Sequence, residues 1–262
     1  MPSESALEQS RRCQLAPISY EQPFLWLARG WHDLLAAPVP GLLHGLAVTS
    51  FGLLLLLLAY RQFWLLAGAF SGFLLIGPLA ATGLYAVSRA LEAQHKPTLL
   101  TALAAWKPRD HRLVLFGLLL AAAGTCWVLT SASMITAFAP EAVSDPVDFL
   151  HVVVLSEQSW LFEGWLALGG VLVAPVYASS VVAIPLMLER RISVLGAVLT
   201  SWRAVLQSPG PMALWGALLM AITLVGMSTL LLGLIIAVPW LSYASWHAYR
   251  DLVPQADLPQ VA

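Results

Sequence analysis

Long apolar runs separated by short polar segments dominate the chain. A bilayer core about 30 Å thick is crossed by about 20 residues of helix. Four runs meet that length: Val39–Tyr60, which contains the unbroken leucines Leu53 to Leu58, then Phe63–Ser88, Leu113–Phe138 and Trp165–Leu188. None contains Asp, Glu, Lys or Arg. Only Arg61 and Gln62 separate the first two, which predicts a tight helical hairpin. The last run, Met212–Tyr249, would extend about 57 Å as one helix, nearly twice the hydrocarbon thickness. It is better read as two spans, 212–231 and 234–249, with a turn near Gly233 and Pro239 inside the second. The predicted fold is all-α and transmembrane: a six-helix bundle over 19–250, with polar tails at 1–18 and 251–262.

Charge placement orients this bundle. With six spans, Arg61 alone among the basic residues falls on one side, and the 140–163 loop on that side carries Glu141, Asp145, Asp148, Glu157 and Glu163 with no Lys or Arg. The positive-inside rule then puts both termini in the cytoplasm. Trp31, Tyr60, Trp64, Trp106, Trp160, Trp165, Trp240, Trp246 and Tyr249 sit near span ends, where an interfacial aromatic belt is expected.

The segments also repeat. Leu25–Trp31, Leu99–Trp106 and Gly196–Trp202 are short, apolar on one side and end in Trp, each ahead of an odd-numbered span. Each is expected to lie at the interface as an amphipathic helix, with Thr98 and Ser193 as N-caps of the second and third. Each following even-numbered span carries a proline: Pro78, Pro175 and Pro239. The pattern is three parallel repeats of interfacial helix, span and proline-kinked span. Each proline frees a carbonyl one turn earlier, which needs a partner from a neighbouring helix, a hydroxyl or water. Thr82, Ser179, Ser180, Ser242 and Ser245 are the nearby hydroxyls. The kinks serve packing, or converge on a polar cavity. Gly68 and Gly72 form a Gly-x-x-x-Gly pair suited to close helix approach, within the chain or in a homodimer.

Composition agrees with this picture and narrows the chemistry. The 262 residues are 59% apolar and 10% charged, with mean hydropathy +0.79, which no soluble core of this size accommodates. Net charge is −1, so there is no basic face for nucleic acid. Cys13 and Cys126 lie in a polar tail and in an apolar span, and no disulfide is implied. The first 38 residues show no signal peptide. Catalytic, phosphate-binding and dinucleotide motifs are absent from the sequence, and no cofactor or metal is called for. The haem candidates are His44 and His247, both near the expected cytoplasmic ends of spans. Lys107, Arg109, Arg112, Arg190 and Arg191 form an expected rim for anionic lipid headgroups.

Several pieces resemble a family of bacterial integral membrane proteins, domain of unknown function 2189. They are Gly30-Trp31-His32-Asp33-Leu34 with Pro38 and His44-Gly45; Gly72 to Pro78 with Gly83-Leu84-Tyr85 and Ser88-Arg89; Trp215-Gly216; and Gly233-Leu234 with Pro239, Trp246-His247 and Tyr249-Arg250. Together they cover about 20–250. The resemblance implies a multi-pass inner-membrane protein without a settled activity.

The reading is therefore a non-enzymatic inner-membrane protein with an accessory, assembly or scaffold role. Its expected partners are membrane lipids, a protein or a second copy, and not nucleic acid. Two alternatives stand beside it: a facilitator of a neutral or apolar small molecule or lipid through a cavity at Pro78, Pro175 and Pro239, and a haem-binding respiratory subunit using His44 and His247.

Overall fold

The computed structural model describes residues 4–59, 81–104, 111–156 and 160–261. The chain is helical almost throughout: α1 Ala6–Arg11, α2 Gln22–Ala36, α3 Pro38–Ala59, α4 Thr82–Glu92, α5 Leu99–Ala104, α6 His111–Phe138, α7 Leu161–Ser180, α8 Ala183–Glu189, α9 Val194–Gln207, α10 Pro209–Ser228 and α11 Leu234–Leu252. Among the described residues, four stretches are long and apolar enough to cross a membrane: Pro38–Leu57, His111–Phe138, Leu161–Glu189 and Pro209–Ser228. These correspond to the first, third, fourth and fifth expected spans. Most of the second, with Gly68, Gly72 and Pro78, lies outside the described residues. The sixth expected span is the helix α11, which falls short of that apolar criterion because its C-terminal half carries His247, Arg250 and Asp251.

The chain divides into two compact units, the first made of Met1–Ser50, Pro78–Phe116 and Tyr177–Ala262. Its axis is α11. Residues on every side of that helix are buried, from Leu234 through Tyr243 and Trp246 to Leu252. Trp246 is thus a core residue packed near Tyr85 and Tyr249, not an interfacial anchor. Glycines set how closely α2 and α3 approach this axis. A Cβ on Gly30 would stand 2.5 Å from the Ala244 amide nitrogen. A Cβ on Gly45 would overlap the Ile235 carbonyl oxygen and stand 2.7 Å from its carbon.

That second contact concerns a proline. Pro239 cannot donate to Ile235, so this carbonyl loses its helical partner. The hydroxyls expected to replace it do not: Ser242 and Ser245 donate to Val238 and Leu241, at 2.7 Å each. A serine hydroxyl reaches back one turn, so residues after the proline serve carbonyls after Ile235. Instead α3 lays Gly45 over the Ile235 carbonyl. One turn along, Thr49 Oγ1 donates to the Leu231 carbonyl at 3.3 Å. Gly41, Gly45 and Thr49 form a small-residue stripe that brings the two helices together.

Between α10 and α11 the chain turns, so 212–249 is two helices. Leu230 and Leu231 have φ of 53° and 67°, and Thr229 Oγ1 accepts from the Gly233 amide at 2.8 Å. Two other corners match each other closely. Ala37 joins α2 to α3 at φ −133°, ψ 65°, and Ser208 joins α9 to α10 at φ −139°, ψ 63°. Each is followed by Pro-x-Pro, and each Trp (Trp31, Trp202) stands seven residues before the first proline. Ser193 caps α9 through the Gly196 amide as expected. At Thr98 the bond runs the other way, from its amide to Thr101 Oγ1 at 3.1 Å.

The terminal stretches, expected as polar tails, are folded into this unit. Cys13–Gln14 pairs antiparallel with Gln255–Ala256, and Cys13 is buried. Helix α1 opens with a Ser5–Glu8 capping box. It docks on α9 through Gln9, which accepts from the Ser193 amide and hydroxyl, and through Ser10, which meets Thr200 and Arg203.

The second unit holds Phe51–Gly77 and Gly117–Val176. Its described helices pack through Trp165, whose indole nitrogen donates to Ser131 at 2.6 Å and whose ring meets Trp127 and Phe149. Among the described residues of the 140–163 loop, the chain forms one turn, Pro146–Asp148, and a π-helix, Phe149–Val154. Asp145 caps that turn through the Val147 and Asp148 amides. Val143 and Val153 are buried against Ile135 and Leu161. Cys126 is exposed on α6.

Candidate functional site

Three buried polar residues of the first unit, Asp33, Ser88 and His247, meet where α2, α4 and α11 pack, with Glu189 of α8 nearby. Helix α2 buries Pro23, Trp26, Gly30, Asp33 and Leu34, a spacing that faces one side of a helix. Asp33 is thereby carried into the interior. Ser88 of α4 donates to its Oδ2 at 2.7 Å, and His247 Nε2 of α11 lies 2.9 Å from the same oxygen. The other His247 nitrogen is 4.0 Å from Glu92. Arg250 bridges Glu92 and Glu189, at 3.4 Å to each. Tyr249 donates its hydroxyl to Glu189 Oε2 at 2.5 Å. Next to this chain, Asp251 accepts from the Trp26 indole at 2.8 Å and pairs with Arg29.

The result is an alternating sequence of acceptors and donors: Asp33, His247, Glu92, Arg250, Glu189, Tyr249. Its physical role is plain. A polar group held away from water needs a partner, and here each helix supplies the partner its neighbour lacks. The geometry also excludes one chemistry. Ser88 bonds the carboxylate, not the imidazole, so the trio lacks the serine–histidine contact of a Ser-His-Asp arrangement. Among the described residues, no cluster of three or more His, Cys, Asp or Glu is placed to hold a metal.

The residues singled out in the sequence fall as follows. His247 is in this network, with its Nε2 engaged by Asp33. His44 is half-buried on α3, beside Gly45. Pro239 lies within α11 and Pro175 within α7, in different units, and Pro78 is outside the described residues. Of the basic rim, Lys107 and Arg109 are also outside them. Arg112 points to main chain: its guanidinium donates to the carbonyls of Met187, Arg190 and Ile192, at 3.3, 3.1 and 2.8 Å. It thus closes the C-terminal end of α8, where helix carbonyls lack partners and cations are favoured. Arg190 donates to the Leu258 carbonyl at 3.0 Å. Arg191 is exposed.

Asp33, Ser88, Glu92 and Glu189 were not singled out as a site from sequence. Asp33 and Glu92 lie outside the apolar runs, and Ser88 and Glu189 stand at or just past the ends of two of them, so a search for ionisable residues inside spans passes them by. The available signal was Asp33 standing on the Trp26–Gly30–Leu34 stripe.

No curated protein and no solved structure matches the chain. A family model, described as predicted integral membrane protein, domain of unknown function 2189, matches residues 65–189. The match takes in Gly72–Pro78, Gly83–Tyr85 and Ser88-Arg89, and leaves the flanking pieces at 30–45 and 215–250 outside it. With its candidate spans, an apolar composition and this match, the chain is an integral membrane protein, and over residues 65–189 it is similar to the domain of unknown function 2189 family.

Proposed function

We propose that the chain is a six-span protein of the bacterial cytoplasmic membrane, with both termini in the cytoplasm, working as a non-enzymatic accessory, assembly or scaffold component through contacts with protein and lipid. One observation carries this reading: the polar groups that chemistry would draw on are spent on one another. Asp33, His247, Glu92, Arg250 and Glu189 pair across four helices, and the apolar runs 39–60, 63–88, 113–138 and 165–188 contain no Asp, Glu, Lys or Arg that would mark an ion or proton path. The matched corners at Ala37 and Ser208 support two of the three proposed repeats.

The test is the mass of the protein component in mild detergent, by size exclusion with light scattering. The expected result is a particle heavier than one 28.3 kDa chain, an oligomer or a complex of fixed stoichiometry that persists through a second column. A single-chain particle that equilibrates a neutral solute across liposomes, at a rate reduced by Pro175→Ala or Pro239→Ala, would overturn the proposal in favour of a facilitator.

A further inference from the structure

We infer that α2 and α9 are a matched pair of membrane-immersed interfacial helices, whose outer faces sit in the headgroup and upper acyl region of one leaflet. The inference goes beyond the scaffold reading and does not depend on it.

Both helices are amphipathic, but in the reverse sense to a helix on a water-soluble core. The inward face of α9 is small and hydroxyl-bearing: Gly196, Ala197, Thr200, Ser201 and Ala204. The inward face of α2 carries Asp33 beside Trp26 and Gly30. Trp26 and Leu34 of α2 are buried beside Asp33, and most of the other large apolar side chains point outward. Leu35 is 65% exposed and Leu206 67%; Trp31 is 40% exposed and Trp202 36%; Phe24 and Leu195 are exposed as well. Counted back from the Pro-x-Pro corner, these are equivalent positions in the two helices.

Three observations identify the occupant as lipid. The exposed faces run without a break into the spans: Leu35 and Ala36 lead to Pro38 and Val39, and Leu206 leads to Pro209 and Ala213, all exposed. The solvent that covers the start of the spans therefore also reaches the helices. Next, two separate helices repeat one chemistry at matching positions, as one continuous medium requires and one docked protein does not. Last, each face centres on an exposed tryptophan, whose ring favours the boundary between headgroups and acyl chains. The inward ring edges agree with burial at that depth: the Trp202 indole donates to Ser179 Oγ at 2.9 Å, and Trp31 packs edge-on to Trp240.

The test uses the full-length protein in phosphatidylcholine nanodiscs. In a Cys13→Ser, Cys126→Ala background, Phe24→Cys, Leu35→Cys, Leu195→Cys and Leu206→Cys are each labelled with an environment-sensitive fluorophore. Asp257→Cys, at a side chain 81% exposed, serves as the aqueous control. At least three of the four sites should be quenched by a lipid nitroxide near the headgroup at least about threefold more than the control. They should be quenched less by a nitroxide at the chain terminus, and less than the control by iodide. Quenching by iodide equal to the control would show a water-facing surface and overturn the inference. Protection from both iodide and nitroxide lipid would show a protein-covered face and overturn it too. A variant that no longer elutes as the parent protein is replaced by its neighbour on the same face, Leu25→Cys or Leu199→Cys.

Discussion

Removing the Asp33 carboxylate should be among the most damaging single changes in the first unit. Oδ2 of Asp33 accepts from Ser88 at 2.7 Å and faces His247 Nε2 at 2.9 Å, with both partners buried. In Asp33→Ala the Ser88 hydroxyl loses its acceptor. His247 keeps only Glu92, at 4.0 Å, beyond hydrogen-bond reach. Breaking one partner out of a buried polar pair costs about 3–5 kcal/mol, and each orphaned hydroxyl or ring nitrogen accounts for roughly 1–3 kcal/mol of that. For a chain of this size, 1 kcal/mol moves the midpoint by about 2–4 °C, so Tm should fall by roughly 6–20 °C. Thermal unfolding in detergent, followed through the eleven tryptophans, reads this directly. Asp33→Asn keeps an acceptor for Ser88 and should lose about half as much. In a double-mutant cycle, Asp33→Ala with His247→Ala should cost less than the two single changes together, by roughly 0.5–3 kcal/mol. A Tm change for Asp33→Ala within about 2 °C, or strict additivity with His247→Ala, would refute the view that these groups hold each other.

Gly45→Ala should lower Tm by about 4–12 °C, through overpacking of roughly 2–3 kcal/mol against the Ile235 carbonyl, and Gly45→Leu should prevent recovery of a monodisperse protein. Arg112→Met removes the donor to three carbonyls at the end of α8 and should cost about 2–4 kcal/mol; amide exchange should rise at 186–192 before it rises in α11. Burial pushes the Cys13 thiol above its ordinary value, so at pH 8 it remains a protonated, covered thiol. Maleimide should label Cys13 only after unfolding, and fast labelling of Cys13 in the folded protein would contradict the pairing of the terminal strands.

The sequence carried much of this architecture, because span length and charge exclusion are one-dimensional signals. The ends of α6 and α10 fall within a few residues of the runs that predict them, the run 165–188 is divided between α7 and α8, and Ser193 was recognisable as a cap by residue type alone. What stayed hidden depends on contacts between distant segments. Gly41-Leu-Leu-His-Gly45 is as regular a small-residue pair as Gly68 and Gly72, but only the fold reveals that Ile235 lies opposite it. The serines after Pro239 seemed suited to the freed carbonyl; the direction in which a helical hydroxyl reaches sends them elsewhere. The terminal strands are two residues each, too short for periodicity to register, and owe their order to Arg12, Asp257 and the Leu252 carbonyl. Arg112 and Arg190 read as a lipid rim because basic residues beside a span usually face headgroups, whereas here Arg112 donates to carbonyls at the end of α8 and Arg190 to the Leu258 carbonyl of the C-terminal stretch.

The reversal of α2 and α9 connects the buried network to the composition. In water, a helix with one apolar and one polar face turns the apolar face inward, because burying it removes about 25 cal/mol per Å² of unfavourable exposure. Here Asp33, Thr200 and Ser201 are inside and Phe24, Leu35, Leu195 and Leu206 are outside. That choice is stable only if the outer medium solvates hydrocarbon as well as a protein core does, and if every inward polar group finds a protein partner. The first condition calls for lipid beyond the ends of the spans. The second is met by Ser88 and His247 for Asp33, by Ser10 for Thr200, and by the Val182 amide, which donates to Ser201 at 3.1 Å. The polar network and the apolar exterior are therefore one adaptation. The pairing of Asp33 with Ser88 and His247 is the same pairing that lets α2 turn Phe24, Trp31 and Leu35 toward the membrane.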